Sequence, residues 1–382
     1  MTQGRNAVKK SIGGLKIVCW WILCVPGLLL APASSADDGG RPLRSVQTPQ
    51  EDHPAERGEL PAFYADAAPR LLSIAGPEVL DEPLVRSYLS RYLTPTGLSW
   101  LKATRTRGAP FIPFIKKQIA ARGLPYELVF LPAVESEFVV SAKSKSGAAG
   151  LWQFMQNSIG PFNIQIDSWV DERFDFWKAT EGALAKLQDN YRILGDWPLA
   201  LAAYNAGLGG VQRLIRQTGE HDYWALCARR QFKTEAVHYV PKFIAISYIL
   251  SNPRRFGLDL LWESDPAWTR LPVSRQVDLG RLAKVSGVDY ALLKKANQEL
   301  RYGITPPRKT YLLKVPAAAA ESIRQSMDRA NMPVRMHIVQ QGETLWGIAR
   351  SYGLTPEALA EANSIPLNGI LSIGKVLKVP VR

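Results

Sequence analysis

Apolar positions follow three different patterns along the 382 residues. The first is an unbroken run, Ile17 to Leu30, preceded by Arg5, Lys9, Lys10 and Lys16 and followed by small residues ending at Ser34-Ser35-Ala36. Residues 1–36 therefore read as an export signal peptide. The run is short for a membrane span, and Pro26-Gly27 near its end suits a cleaved segment better than an anchor. Residues 37–77, rich in Pro, Gly, Asp and Glu, show little apolar periodicity and read as a low-order linker. From there to about residue 255 the period becomes helical. Val85, Tyr88, Leu89 and Tyr92 fall on one face, and further helices are predicted near 96–107 and 110–122. Gly123-Leu124-Pro125 stops one helix and starts the next, since proline is tolerated in a first turn. Pro132 lies inside that next helix and is expected to bend it. Beyond a loop containing Gly160-Pro161, helices are predicted over 176–194, from Asp196-Trp197-Pro198 to a C-cap at Gly207, and over 234–250. Strand signals are few, so residues 78–255 form a mainly α domain large enough for a substantial core.

The third pattern is a repeat. RLAKVSGVDYALLKKAN (281–297) aligns without gaps to GIARSYGLTPEALAEAN (347–363), an offset of 66 residues, with identities at 283, 287, 293, 296 and 297. LLKVP at 312–316 then echoes VLKVP at 376–380. Two related small modules are predicted, at 270–316 and 336–382, with 317–335 a helix-forming spacer between them. In the second copy Thr344 and Thr355 can cap helices, while Leu345, Ile348, Leu354, Leu359 and Leu377 supply a core. The first copy lacks the Gly-Glu-Thr opening and has Val277-Asp278 there, with Asp278 in the capping role.

Composition narrows the partners. The full chain carries +13, the signal holds four basic residues and no acidic one, and about +9 remains after its removal. That excess suits an anionic partner. Nucleic acid is not indicated, for no basic helix, zinc spacing or RNA-binding signature is present. Two of three cysteines lie in the signal, which leaves Cys227 alone and reads as a core thiol. The residues before Cys19 and Cys24 lack the small residue expected before a lipidated cysteine, so a soluble exported protein is favoured over a lipidated one. Four histidines, at 53, 221, 238 and 337, lie far apart, and neither a metal site nor a cofactor is expected.

Candidate chemistry concentrates in ESEFVVSAKSKSGAAGLWQ, residues 135–153. Glu135 closes an apolar helix whose residues Leu128 to Val134 can bury it and raise its pKa, as a proton donor near neutral pH requires. Glycines in the following loop let backbone approach a bulky substrate. Taken alone, a buried Glu beside a glycine-rich loop is better read as a paired structural carboxylate.

The order of three motifs separates the two readings. Glu135-Ser136, then Ser144-x-x-Gly147-Ala148-x-Gly150-Leu151-x-Gln153, then Ala203-Tyr204-Asn205-Ala206-Gly207 resemble the family 1 soluble lytic transglycosylases, the membrane-bound murein transglycosylase D type in particular. The resemblance covers about 81–250 and implies a lysozyme-like α-helical domain. Residues 336–382 resemble a LysM domain, a βααβ glycan-binding module, and 270–316 a divergent LysM-like one. The activity so implied is cleavage of the β-1,4 bond between N-acetylmuramic acid and N-acetylglucosamine in peptidoglycan, leaving 1,6-anhydro ends. Glycan strands are the implied partner, periplasm or cell envelope the implied location, and membrane association is expected only if the signal is uncleaved or lipidated.

Glycosidic cleavage needs an acid, and hydrolysis commonly adds a second carboxylate. The motifs offer one acid, because Glu137 on a helix would point about 200° away from Glu135. One Glu suffices if it protonates the leaving oxygen and then deprotonates the C6 hydroxyl that attacks C1. The resemblance makes Glu135 the catalytic acid/base. It makes Ser136, Ser144, Gln153, Tyr204, Asn205 and Tyr239 the substrate-binding set. Helix capping is the alternative for both serines, a core position for Tyr204, and holding of the helix end for Asn205. Of Trp152 and Phe154, one is expected in the core and the other facing glycan. Gln156 replaces a proline common in relatives. Two rival functions are a lysozyme-type hydrolase using Asp167, Asp171 or Glu172 as base, and a catalytically silent wall-binding protein.

Overall fold

The computed structural model describes residues 73–258, 267–307 and 310–381. The expected signal peptide and all but the end of the linker lie outside the described residues. Helices α1 (Pro83–Tyr92), α2 (Pro95–Gly108), α3 (Ile112–Ala121), α4 (Leu131–Glu135), α5 (Phe176–Leu194), α6 (Trp197–Ala206), α7 (Leu208–Thr218), α8 (Tyr223–Ala228) and α9 (Thr234–Ser251) build the first part. The chain opens many of these helices with the residues physics favours there. Proline stands in the first turn of α1, α2, α3, α4 and α6. Thr94, Asp175, Asp196 and Asp222 accept backbone N–H bonds as N-caps. Glycines in left-handed conformation close α5 and α7.

Helix α9 is the axis of this core. From Ala236 onward it is buried on nearly every face, which its continuous apolar sequence demands, and α1, α4 and α6 pack around it. The mainly α expectation therefore holds. Differences are local. Pro132 is not in a helix interior: a 3₁₀ turn spans Tyr126–Phe130, and Pro132 sits in the first turn of the short α4, where its missing N–H has no partner to lose. The packed domain also reaches into the stretch read as linker. Ile74 is buried, and Ser73 donates to both carboxylate oxygens of the buried Glu127 (3.2 and 2.7 Å).

After α9 come β1 (Trp268–Val273), α10 (Leu279–Ser286), α11 (Tyr290–Ala296), β2 (Tyr311–Pro316) and α12 (Ala320–Ser326), then β3 (Val334–Ile338), α13 (Leu345–Ser351), α14 (Pro356–Asn363) and β4 (Val376–Pro380). Strands β1 and β2 pair antiparallel from Trp268 opposite Pro316 to Val273 opposite Tyr311, and β3 and β4 from Val334 opposite Pro380 to Ile338 opposite Val376. The repeat is thus two βααβ units. Its identical asparagines explain themselves: Asn297 Nδ2 donates to Leu293 O and Lys314 O while its Oδ1 accepts from Lys314 N. Asn363 makes the same three bonds to Leu359 and Lys378. In each unit one amide side chain joins the end of a helix to the returning strand. Asp278, Thr344 and Thr355 cap as expected. The stretch 317–335 is more than a spacer: Ile323 and Ala330 are fully buried in the core of the first unit, completing it with α12.

Candidate active site

Glu135 is the last residue of α4, and the chain leaves the helix abruptly after it. Ser136 has φ −138°, and Glu137 and Phe138 both adopt left-handed backbone at φ 53° and 58°. Two such non-glycine residues in succession cost about 1–3 kcal/mol each and persist only where packing over-determines them. Here Phe138 is buried beneath Gly108, where a Cβ would come within 2.8 Å of its ring. Arg107 holds Glu137, donating through Nε to its carbonyl (2.8 Å) and through Nη2 to its carboxylate (2.9 Å). Glu137 is kept apart from Glu135 by this turn rather than by helical geometry.

The following loop is tied on all sides. Ser136 Oγ donates to Leu151 O (2.8 Å), linking the neighbour of Glu135 to the loop. Ser144 Oγ accepts from Ala148 N (3.0 Å), and Gly150 N donates to Ala142 O (2.8 Å). Gln153, at φ 49°, turns its amide back to Gly150 O (2.8 Å). Gly150 has φ 80°, and a Cβ there would stand 1.8 Å from Arg173 O, so no other residue fits. Both Trp152 and Phe154 are buried, and Trp152 donates its indole N–H to Thr180 Oγ1 (2.9 Å). The expectation that one of them faces glycan is corrected: the run is a wedge into the core, driven by the area two aromatic rings remove from water.

Opposite the loop, Tyr239 on α9 donates its hydroxyl to Glu135 Oε1. Tyr204 on α6 donates to Trp152 O (2.8 Å). Asn205 donates to Glu235 Oε1 (3.1 Å). Of the predicted residues, only Tyr239 bonds the Glu135 carboxylate directly. Ser136, Ser144, Gln153 and Tyr204 bond loop backbone, and Asn205 bonds another side chain.

Electrostatics single out Glu135. Burial pushes its carboxyl up to about 7, against the Tyr239 hydrogen bond and the charges of Lys186 and Lys242, which favour the ionised form, while Glu235 adds to the rise. Lys186 and Lys242 are each lowered by burial and partly restored by Glu135. Lys186 Nζ donates to Tyr204 O (3.2 Å) and stands 4.2 Å from the centre of the Tyr204 ring. Burial holds the hydroxyls of Tyr204 and Tyr239 well above the usual phenol range, so both remain donors. Sequence reasoning missed Lys186, Lys242 and Glu235, which belong to none of the three motifs. The available signal was spacing on α9, where Glu235 and Lys242 lie four residues before and three after Tyr239 and so share its side of the helix.

The other acids have structural partners. Asp167 accepts from Trp169 N (2.7 Å) and Val170 N (2.8 Å), Asp171 pairs with Arg173 (2.7 Å), and Glu172 pairs with Lys178 (2.8 Å). The site can therefore donate and recover one proton near neutral pH, from a single carboxyl flanked by two ammonium groups.

Residues 112–227 match the transglycosylase SLT domain, 267–331 the LysM-like domain of lytic transglycosylase MltD, and 337–380 the LysM domain. Membrane-bound lytic murein transglycosylase D of Escherichia coli strain K12 is 29% identical over 331 residues, covering 81% of this chain and 70% of its own. The protein of the same name from E. coli O6:H1 gives the same figures. Among solved structures, the 70 kDa soluble lytic transglycosylase of E. coli is 20% identical, covering 44% of this chain and 29% of its own at a TM-score of 0.34, an overlap too slight to carry an argument. The chain is an enzyme of the lytic murein transglycosylase class, built of an SLT domain followed by a MltD-type LysM-like domain and a LysM domain, and homologous to membrane-bound lytic murein transglycosylase D.

Proposed function

We propose that the enzyme cleaves the β-1,4 bond between N-acetylmuramic acid and N-acetylglucosamine by intramolecular transfer, leaving 1,6-anhydro-N-acetylmuramic acid ends. The observation that carries this reading is the Glu135 carboxyl, raised to about 7 by burial and hydrogen-bonded by Tyr239. Protonated Glu135 gives its proton to the glycosidic oxygen as the bond to C1 breaks. The resulting carboxylate, favoured by Lys186 and Lys242, takes the proton of the C6 hydroxyl as that oxygen bonds to C1. The proton count closes and water is not consumed. Proximity makes the second step effectively unimolecular, so a base to activate water is unnecessary. Tyr239 orients the carboxylate. Ser136, Ser144 and Gln153 hold the loop against which the sugar lies, Tyr204 braces that loop from α6, and Asn205 restrains Glu235.

Export by residues 1–36 places the enzyme in the periplasm or cell envelope. The excess positive charge suits the peptide carboxylates of the wall, and the terminal LysM domain tethers the enzyme to glycan strands. Digestion of purified peptidoglycan tests the chemistry. Muropeptides one water lighter than their hydrolysed counterparts, and unlabelled after reaction in ¹⁸O water, are expected. Fully reducing, labelled products would instead establish a lysozyme-type hydrolase. Its base would then be sought at Glu235, whose charge reaches Glu135, and not at Asp167, Asp171 or Glu172, which have structural partners.

A further inference from the structure

The LysM-like unit of β1 to α12 is joined to the helical domain by far more than its connecting chain. Trp268 donates its indole N–H to Pro110 O (2.6 Å) and lies 5.6 Å from the Phe176 ring, and the Arg270 guanidinium sits 4.4 Å from the centre of the Trp177 ring. Lys314 in β2, only 1% exposed, donates to Asp175 Oδ2 (2.7 Å) and to Glu299, which is itself 1% exposed and also accepts from the Tyr311 hydroxyl. Asp175 is at the same time the N-cap of α5. Backbone joins the parts too: Asp171 N donates to Glu299 O (3.0 Å) and Arg301 N to Trp169 O (3.0 Å), while Val170 is buried in the core of the unit.

Residues 165–175 are thus a strap fastened to the LysM-like unit, and Arg173, between the fastenings at Asp171 and Asp175, grips the loop beside Glu135. Arg173, with its guanidinium gripped by both oxygens of Asp171 (2.9 and 2.7 Å), donates through Nη1 to Gly147 O (2.9 Å) within the loop and to Phe154 O (3.4 Å) at its end. The Arg173 carbonyl fills the space where Gly150 lacks a Cβ. From Leu151 the Ser136 bond completes the path to the neighbour of Glu135. A buried lysine with two carboxylates contributes little net stability, because desolvation offsets the attraction, but it specifies one arrangement and penalises any other. A tether needs no such arrangement.

We propose that the LysM-like unit is a fixed buttress of the catalytic loop, with Lys314, Asp171 and Arg173 as positioning residues, so that cleavage of even short soluble glycan depends on it. This rests on the assignment of Glu135 and residues 144–154 to the active site. The test uses the full chain carrying Lys314→Met with Glu299→Gln, which leaves Asp175 as the remaining carboxylate of the cluster, still held by the Trp177 and Lys178 N–H groups that it caps. Backbone amides of residues 142–154 are expected to exchange hydrogen faster. Displacement near the reacting centre is expected to lower kcat on soluble strands by about tenfold or more. The pH profile of the remaining activity and sedimentation with insoluble peptidoglycan are expected to stay as in the parent. A folded double variant with parental exchange in 142–154 and undiminished kcat would overturn the proposal. Should that variant not fold, Arg301→Ala probes the same strap from a residue 39% exposed at its side chain, and unchanged exchange in 142–154 then overturns it. Amide exchange reads the loop whatever the products are, so failure of the transglycosylase reading would show separately, as labelled reducing ends from the parent enzyme.

Discussion

At the scale of single residues the molecule distinguishes two glutamates two positions apart. Glu135→Gln keeps the shape and removes the transferable proton, so glycan binding should persist while turnover drops by about 10²- to 10⁴-fold or more, one group serving both steps. Glu137→Gln, which only loosens a half-exposed pair with Arg107, should remain active. Zymography and product release on the two purified variants make the comparison. The pH dependence follows from the same carboxyl. Its first task needs the protonated form, so activity should fall as pH rises through about 7. Lys242→Met removes a cation that favours the carboxylate and should move that fall to higher pH. Stability carries the matching sign: a raised folded-state pKa means the fold prefers the neutral acid. That contribution is full below the ordinary carboxylate pKa near 4.5 and is lost as pH rises through about 7. Melting curves of Glu135→Gln and parent should therefore diverge in favour of the variant as pH rises from about 4.5 to about 7 and stay apart above that.

Among elements, the loop of residues 144–154 separates conformational need from steric need. Gly147 and Gly150 both have positive φ, but a Cβ on Gly147 meets nothing within 4 Å while one on Gly150 meets Arg173 O at 1.8 Å. Gly147→Ala should cost about 1–3 kcal/mol of backbone strain and no more. Gly150→Ala adds the clash and should lower both Tm and activity much further, which thermal unfolding of the two variants would reveal. Elements with strong local signals were legible beforehand. Helix α5 spans Phe176–Leu194 as its periodicity indicated, and α6 has its Asp196 cap and its Gly207 terminus. The short α7 and α8 were not anticipated. The signal in α7 was nevertheless present, for Leu208, Val211, Leu214 and Ile215 recur at helical spacing and pack on the core, whereas α8 is only six residues long.

For the whole molecule, removal of residues 336–382 should reduce sedimentation with insoluble peptidoglycan by about tenfold or more, since a tethered module raises local substrate concentration. Cleavage of short soluble strands should change little. The cut spares Met332 and Val334, which pack with Ile304, and costs the pair between Lys378 and Asp278 (2.9 Å). Equal loss on both substrates would contradict this division of labour. It would also contrast with the buttress, whose disturbance is expected to affect turnover and not wall binding.

By itself the sequence determined what short-range physics encodes: helix periods, caps and the repeat with its paired asparagines. The family resemblance carried by its motif order pointed to Glu135. It also located Tyr239 as a candidate, although 104 residues separate it from Glu135. Tertiary structure alone decided the electrostatic setting, because the charges of Lys186 on α5 and Lys242 on α9 reach the acid at the end of α4 only in the folded chain. It alone decided that Trp152 and Phe154 both turn inward and that the stretch after β2 joins a core. It alone joined Lys314 to Asp175, 139 residues apart, since a buried charge pair depends on where two backbones meet and leaves no periodic trace in either segment.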